Sequence, residues 1–267
     1  MYDFNFHRPA DLASAEGFLK ADDTKLLAGG QTLIPTLKQR LAAPKHLVDL
    51  ARVHGLTGIE RKGRSIEIGA MARHADVATS AVVHKAIPAL GALAAEIGDP
   101  AVRNRGTLGG SVANNDPSAD YPAACLALGA MIVTSKREIS AGDFFTGLFE
   151  TALEPDEIIV KVSFPIPVKA AYLKFPNPAS RYALVGVFVA KDNAGVRVAV
   201  TGAGESGVFR VPAMERALAK KFVAKSLDGI RIDAQGLIAD LHGAADYRAH
   251  LIGVLARRAV EAAAKMK

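Results

Sequence analysis

The stretch RNRGTLGGSVANNDPSADYPAACLALGA, residues 103–130, places glycines and a run of short polar side chains ahead of an alanine-rich helical pattern. A glycine has no Cβ, so it lets a ligand approach the main chain closely. The polar residues that can bond phosphate or sugar oxygens are Thr107, Ser111, Asn114 and Asn115. We therefore expect this segment to form one side of a nucleotide-binding site.

Asp120 comes thirteen residues after Thr107 and begins a second helical pattern, with Pro122 in its first turn and Gly129 at its end. One interpretation is a helix cap, because Asp is a preferred N-cap residue. The other interpretation is a ligand contact. A carboxylate beside a diphosphate would be repelled, so in that case Asp120 should face the hydroxyl groups of a ribose or ribityl chain.

A similar device occurs in LLAGGQTLIPTLKQRL, residues 26–41, where Gly29 and Gly30 separate a strand-like segment from a helical pattern. We expect Thr32 to cap this helix, which carries Pro35 in its first turn. The free amides at the helix start favour an anion, and the alternative is that the glycine pair only forms a turn. The loop fits neither the phosphate-binding fingerprint G-x-x-x-x-G-K-S/T nor the dinucleotide fingerprint G-x-G-x-x-G. Together, the two glycine loops are expected to clamp a diphosphate from two sides.

The composition narrows the class of protein. With 267 residues, 50% of them hydrophobic, the chain can bury substantial cores. It has no run of eighteen uncharged apolar residues, and the N-terminal MYDFNFHRPAD lacks a signal-peptide pattern, so we expect a cytoplasmic protein without a membrane span. The single cysteine, Cys125, cannot form an internal disulfide or hold zinc or an iron–sulfur cluster alone. We therefore expect no metal site in this chain.

The charge pattern argues against nucleic-acid binding, because the net charge of +6 is spread along the chain and mixed with acids. The densest basic segment, residues 210–231, has few aromatic side chains for stacking on bases and is expected to be a solvated face. A surface for an acidic protein partner is the alternative. No Ser/His/Asp, Cys/His or paired-carboxylate arrangement suggests hydrolysis.

The hydrophobic pattern divides the chain into three parts. Residues 1–55 predict a small α/β unit with strands at YDFNF, KLLA and HLVDL. Residues 56–167 predict a mixed sheet among alanine-rich helices, with strands at SIEIGA, AMIVTS and IIVKVSF. Residues 168–267 predict an antiparallel sheet of three strands, AAYLKF, YALVGVFVA and VRVAVTGA, followed by helices over 212–220 and 247–265. The expected fold class is α+β.

Four segments carry a family resemblance: LAGGQTLIP (27–35), RNRGTLGGSVANNDPSAD (103–120), AYLKFPNPASRYALVGVFVA (171–190) and VTGAGESGVFRVPAMERAL (200–218). Together they closely resemble the FAD-binding medium subunit of the molybdenum hydroxylases, the family of xanthine dehydrogenase and aerobic carbon monoxide dehydrogenase. The resemblance covers nearly the whole chain. It implies the vanillyl-alcohol-oxidase-type (PCMH-type) FAD-binding fold, in which two α/β subdomains, 1–55 and 56–167, precede a C-terminal domain.

The resemblance also implies a binding site for FAD. Its residues are Ala28, Gly29, Gly30, Gln31, Thr32, Leu33, Thr107, Leu108, Gly109, Gly110, Ser111, Asn114, Asp120, Ile159, Lys174 and Tyr182. The two loops would wrap the diphosphate, and Asp120 would bond sugar or ribityl hydroxyls. Ile159 would lie near the ring system, Lys174 would reach the flavin and Tyr182 would pack by the isoalloxazine.

Some residues allow a second interpretation. Without the resemblance, Lys174 is an exposed strand residue and Tyr182 a core aromatic. Arg181 stands where relatives usually carry an acid. This difference leaves open the hydrogen bonding around the flavin and the choice of electron acceptor. His74 is either a helix-start or surface histidine or a catalytic one.

In such a family, substrate is hydroxylated at a molybdenum cofactor in a large subunit, and electrons pass through two 2Fe–2S clusters of a small subunit to FAD. The resemblance therefore implies an oxidoreductase subunit within a dimer of heterotrimers that delivers electrons to an external acceptor. It also implies that this chain has no catalytic side chain, that is, no acid, base or nucleophile essential to the transformation of the substrate. The substrate stays open, as does the choice among NAD, a quinone, a cytochrome and oxygen as acceptor. The alternatives are a free-standing FAD-dependent oxidase or reductase of the same fold, and a non-catalytic binding module that retains the fold.

Overall fold

The computed structural model describes residues 1–265, which form three main sheets, each from a separate stretch of the chain. The first sheet is parallel, with strand order β1-β3-β2. Its elements are β1 (Asn5–His7), α1 (Leu12–Leu19), β2 (Thr24–Leu27), α2 (Leu33–Lys38) and β3 (His46–Asp49). The Asp11 carboxylate caps α1 by accepting from the Ser14 amide at 2.8 Å. The strands and helices predicted in this part are all present.

The second sheet was expected to be mixed, but this is wrong, because each of its strand pairs is antiparallel; the strand order is β4-β5-β10-β6-β7. Its strands are β4 (Ile59–Lys62), β5 (Ser65–Gly69), β6 (Met131–Thr134), β7 (Glu138–Ser140) and β10 (Ile159–Pro165). Strands β8 (Phe145–Gly147) and β9 (Glu150–Thr151) form a separate hairpin. The helices of this part are α3 (His74–Thr79), α4 (Ala81–Ala86), α5 (Pro88–Ala95), α6 (Pro100–Arg103), α7 (Leu108–Asn114), α8 (Tyr121–Leu128) and α9 (Ala141–Phe144). Apolar side chains from β5, β10 and α8 form the largest core of the protein.

The third sheet is antiparallel and is formed by the C-terminal part of the chain. Its elements are β11 (Lys169–Pro176), β12 (Ala183–Lys191), β13 (Val196–Thr201), β14 (Phe209–Arg210), α10 (Pro212–Lys220) and α11 (Ala245–Lys265). The three predicted strands are present, and the two-residue β14 adds a fourth that the sequence pattern did not indicate. The final helix begins two residues before the predicted start.

The central strand β12 is buried along both of its faces. Phe188 and Ala190 point into the core of the second sheet, whereas Val185, Val187 and Val189 point toward α10 and α11. Alternate residues of a strand face opposite sides, so one strand contributes to two cores. This continuous packing fixes the C-terminal sheet against α8, which begins at the end of the second glycine loop segment.

Candidate cofactor-binding site

A cleft of about 740 Å³ lies where the three parts of the chain meet. Most of the predicted site residues line it: Ala28, Gly29, Gly30, Gln31, Thr32, Leu33, Thr107, Gly109, Gly110, Ser111, Asn114, Asp120, Ile159 and Tyr182. The side chain of Leu108 is instead fully buried in the central core. Lys174 lies behind the cleft wall. The fold therefore brings both glycine loops to one cavity.

The two glycine loops contact each other directly through Gly29. A Cβ at this position would lie 2.2 Å from the Arg105 carbonyl oxygen and 2.7 Å from the Gly106 Cα. Gly30 adopts φ +74°, which side-chain-bearing residues rarely adopt. Gly29 is therefore required by the contact between the loops, and not by the approach of a ligand.

The first loop offers unpaired backbone donors. The amides of residues 30–33 find no hydrogen-bond acceptor among residues 1–265. Thr32 was expected to cap α2, but this is wrong, because its backbone is already helical and its side chain makes no cap hydrogen bond. Successive free N–H groups in a turn form a concave site for an anion.

The second loop uses its amides within the protein. The amide of Leu108 donates to the Ala72 carbonyl at 3.0 Å, and that of Gly109 donates to the Ala70 carbonyl at 2.8 Å. The Gly110 amide donates to Thr107 Oγ1 at 3.2 Å, so Thr107 caps α7. The second loop therefore offers a ligand its side chains and close approach rather than free amides.

Gly110 is the glycine of the second loop whose missing side chain would point toward the first loop. A Cβ there would lie 2.9 Å from Thr107 Oγ1 and 3.4 Å from the Ala28 Cβ, in the space between the two loops. Within residues 1–265, the side chains of Ser111 and Asn114 make no hydrogen bond and both line the cleft. These groups are free to bond a ligand.

Asn115 does not belong with these binding groups. It ends α7 in the left-handed conformation, with φ 42°, and its side chain is buried. Its Nδ2 donates to the carbonyls of Gly147 and Glu150, each at 2.8 Å. Asn115 therefore fixes the β8–β9 hairpin against α7, and the expectation that it bonds phosphate or sugar is wrong.

Asp120 lies at the cleft with its carboxylate held from behind. The Tyr172 hydroxyl donates to Asp120 Oδ1, and Lys174 Nζ lies 3.0 Å from the same oxygen. Burial raises the pKa of Asp120, and the Lys174 ammonium and the Tyr172 hydroxyl oppose that shift. The side chain makes no cap hydrogen bond to α8, so the helix-cap interpretation is wrong.

Lys174 is not the exposed strand residue, and Tyr182 is not the core aromatic, that the sequence suggests without the family resemblance. The side chain of Lys174 is only 2% exposed, and its Nζ also donates to the Glu96 carbonyl at 2.8 Å, so it is not an exposed strand residue. Tyr182 is 45% exposed rather than part of a core. It lines the cleft beside Arg181, whose φ is +61°, at the turn between β11 and β12.

His74 was left open by the sequence, and the structure places it in the cleft wall. It is the first residue of α3, is 5% exposed and packs against the Tyr121 ring at 5.4 Å between centroids. A Cβ on Gly106 would lie 2.6 Å from its Nε2. Burial lowers the pKa of His74 to about 4, with a smaller contribution from Arg103, so its imidazole is neutral near pH 7. It is therefore not a surface histidine.

Sequence reasoning identified only Ile159 in the apolar wall of the cleft and missed the other residues of the wall. Its residues are Leu26, Leu50, Leu153, Pro155, Ile158 and Ile159. Glu157 lies among them with a fully buried side chain, and Arg137 lowers its pKa to about 2. The only sequence signal was an acid next to a strand start, in PDEIIV, which is ordinary for a surface loop.

The chemistry of the cleft fits a flavin nucleotide. Four free amides suit a diphosphate, a buried carboxylate suits sugar or ribityl hydroxyls, and an apolar wall suits an aromatic ring. The described residues hold no group of three or more His, Cys, Asp or Glu side chains placed to bind a metal ion. Within residues 1–265, no helix is both long and apolar enough to cross a membrane.

Comparison with known proteins identifies the relatives of this chain. The family described as FAD binding domain in molybdopterin dehydrogenase matches residues 2–167. The nicotine 6-hydroxylase medium subunit of Paenarthrobacter nicotinovorans is 38% identical over 273 residues, covering 96% of this chain and 96% of that protein. The carbon monoxide dehydrogenase medium chain of Hydrogenophaga pseudoflava is 34% identical over 280 residues, covering 97% and 96%.

Solved structures agree with the sequence relatives. Carbon monoxide dehydrogenase from Hydrogenophaga pseudoflava, in a form that lacks the Mo-pyranopterin moiety of the molybdenum cofactor, matches with a TM-score of 0.88 at 34% identity, covering 97% of this chain and 96% of that chain. Quinoline 2-oxidoreductase from Pseudomonas putida 86 matches with a TM-score of 0.89 at 31% identity, covering 98% and 97%. The predicted family, the α+β fold class and FAD as the cofactor are thus confirmed. The chain belongs to the FAD-binding domain family of the molybdopterin dehydrogenases and is an oxidoreductase subunit.

Proposed function

We propose that this chain holds one FAD in the cleft and serves as the electron-transfer subunit of a molybdenum-containing hydroxylase. It takes electrons from an iron–sulfur partner and passes them to an external acceptor. The observation that carries the proposal is the direct contact of the two glycine loops at a single cleft. FAD, when bound, supplies reversible electron transfer, and the protein supplies binding, orientation and electrostatics.

The diphosphate is assigned to the loops. The amides of residues 30–33 donate from one side. Ser111, Asn114 and the Thr107 hydroxyl donate from the other, and Gly110 leaves the room for close approach. Because the diphosphate lies in the middle of the elongated FAD molecule, its two ring systems must extend toward different walls.

The flavin end is assigned to the wall formed with the C-terminal sheet. Asp120 accepts hydrogen bonds from ribityl hydroxyls, and Tyr182 packs by the isoalloxazine. Lys174 acts through Asp120, because its ammonium favours the ionised carboxylate that burial disfavours. This revises the expectation that Lys174 reaches the flavin itself.

The adenine end is assigned to the apolar wall. Ile158 packs in the N-terminal core with Val48 and Leu50, so the wall belongs to the side of the N-terminal sheet. Ile159 continues this wall. It therefore remains a proposed FAD residue, but at the adenine rather than near the flavin ring.

The partners are also part of the proposal. Relatives are named medium subunit or medium chain, which supports a complex with a large molybdenum-cofactor subunit and a small iron–sulfur subunit. Cys125 is the one cysteine in the sequence, so 2Fe–2S clusters require ligands from another chain. We further propose subdomain boundaries near residues 55 and 167, assembly as a dimer of heterotrimers and action in the cytoplasm.

The proposed function is tested by the absorption spectrum of the purified full chain, with release and chromatography of any bound cofactor. We expect flavin bands and FAD in a 1:1 ratio. Gly110→Val should yield protein without flavin, because the added side chain fills the space between the loops. The matched control is Gly17→Val in α1, where no atom lies within 4 Å of an added Cβ, and it should retain full flavin content.

Two results would contradict the proposal. A colourless wild-type chain that also takes up no added FAD removes the flavin site. Substrate turnover by the chain alone, without partners, favours a free-standing flavoenzyme.

A further inference from the structure

Part of the apolar wall of the cleft is formed by a segment without regular structure. Strand β9 ends at Thr151 and β10 begins at Ile159, so residues 152–158 lie outside the sheet ladders. The segment nevertheless contributes Leu153, Pro155 and Ile158 to the cleft. Something other than strand pairing must hold these side chains in place.

The carboxylate of Glu157 supplies that support. Its Oε1 accepts from Thr134 Oγ1 at 2.6 Å and from Arg137 Nε at 3.0 Å. Its Oε2 accepts from Arg137 Nη2 at 3.0 Å and from the Glu154 amide at 2.9 Å. Both oxygens are therefore satisfied, and Arg137 binds them in a bidentate manner that fixes orientation as well as distance.

The same turn between β6 and β7 holds the segment at two more points. Arg137 Nη2 donates to the Ala152 carbonyl at 2.7 Å. The Ser135 amide donates to the Ile158 carbonyl at 2.8 Å, and the Ile158 amide donates to Ser135 Oγ at 3.2 Å. The segment is thus bound to this turn from its first residue to its last.

Glu157 differs from the other acids near this turn. Lys136 pairs with Glu154 at 2.9 Å and with Asp156, but the side chains of both acids are about half exposed, at 52% and 43%. Exposed pairs contribute little, because water screens them. The Glu157 side chain is 0% exposed, so its charge depends on the donors around it.

We propose that Glu157 is a positioning residue that, with Arg137 and Thr134, fixes the apolar wall against the adenine ring of FAD and so lets the cleft select FAD over FMN. The inference rests on the proposed function, since it requires FAD in this cleft with its adenine at this wall. FMN has no adenosine part and does not use the wall. The ratio of the FAD and FMN dissociation constants therefore measures how much the apolar wall contributes to FAD binding.

The chain offers a matched control in Glu215. Arg210 binds this buried carboxylate in the same bidentate manner, with Nε to Oε1 at 2.8 Å and Nη2 to Oε2 at 2.6 Å. The Val198 amide also donates to Oε1, at 3.0 Å. Glu215 lies in α10 and is not part of the cleft. Glu215→Gln thus breaks an equivalent network elsewhere.

The test measures dissociation constants for FAD and FMN with the full chain stripped of flavin, in wild type, Glu157→Gln and Glu215→Gln. The glutamine amide group would face donors of Arg137 or Glu154, so the wall must shift. We expect Glu157→Gln to weaken FAD binding at least about tenfold and to change FMN binding less than about twofold. Glu215→Gln should change neither. Arg137→Lys keeps the charge but loses the bidentate geometry, and it should weaken FAD in the same selective way.

Each outcome decides between explanations. Unchanged FAD affinity in Glu157→Gln and Arg137→Lys overturns the inference, and so does an equal loss for FAD and FMN, which indicates general damage to the fold. A wild-type chain that binds neither flavin overturns the proposed function, and the inference falls with it. Normal wild-type binding with no selective loss removes the inference alone.

Discussion

Single residues in this cleft show that one residue type serves different purposes. Gly29 has no Cβ because the second loop occupies that space, whereas a Cβ on Gly110 would lie 2.9 Å from Thr107 Oγ1 and 3.4 Å from the Ala28 Cβ of the first loop. Gly109 packs against Ala70, where an added Cβ would lie 2.5 Å from the alanine Cβ. Three glycines of similar local sequence thus face three different neighbours, although all three line the cleft.

His74 leads to a prediction about acid stability. Its pKa is about 4 in the folded chain, against 6.5 for an ordinary histidine. Between these pH values the unfolded chain binds a proton that the folded chain does not, so the free energy of unfolding falls as the pH falls from 6.5 toward 4. Compared with His74→Gln, wild type should lose roughly 2 to 3 kcal/mol between pH 7 and 4.5.

Urea unfolding of both proteins at the two pH values measures this difference. Other titrating groups are shared and cancel in the comparison. Parallel loss of stability in wild type and variant would show that His74 titrates normally in the folded chain.

At the scale of elements, the contact between the two glycine loops organises the site. The first loop joins β2 to α2 and the second joins α6 to α7, and their backbones meet where Gly29 contacts Arg105 and Gly106. Strand β12 similarly joins two cores through its alternate faces. Neither contact follows from the pattern of one element, because each depends on what packs opposite.

We therefore predict that Gly29→Ala separates the loops. The new methyl would lie 2.2 Å from a backbone oxygen, which cannot rotate away. We expect a loss of roughly 1 to 3 kcal/mol in the free energy of unfolding, measured by urea titration, together with weaker FAD binding. Gly17→Ala is the control and should be neutral or slightly stabilising, since alanine favours a helix. A Gly29→Ala protein as stable as wild type would contradict the close contact.

At the scale of the whole molecule, the cleft is lined by residues from all three parts of the chain. A ligand bound there should stabilise the parts together, because unfolding of any one part destroys the site. With FAD at a thousand times its dissociation constant, the stabilisation is about 4 kcal/mol. Thermal unfolding followed by far-UV circular dichroism and by tyrosine fluorescence should therefore shift upward by the same amount in both signals.

The Gly110→Val protein provides the control, since it should show no shift with FAD. A shift confined to one of two separable transitions would indicate that the ligand contacts only one part of the chain.

The elements of this protein could be predicted because the information for them is local. Hydrophobic alternation located β1, β2, β3, β5, β6 and β10–β13 but missed the short strands β4, β7, β8 and β9. Proline and glycine marked the start of α10 and both ends of α8. The two-residue β14 gave no such signal, because a strand this short has no periodicity to detect. Thr32 was expected to cap a helix, and a cap was one of two interpretations for Asp120. A side-chain cap typically requires an extended backbone, which neither residue adopts.

The sequence by itself determined most of the strands, the two glycine loops and the presence of a single cysteine, which is too few for a metal cluster. The tertiary structure decided which groups meet. Asp120 is held by Tyr172 and Lys174, and Glu157 by Arg137, although these partners lie far apart along the chain. Periodicity and turn chemistry act over a few residues, whereas the pairing of a buried charge depends on how distant segments pack. These pairs matter because burying an ionised carboxylate costs free energy unless hydrogen-bond donors surround it.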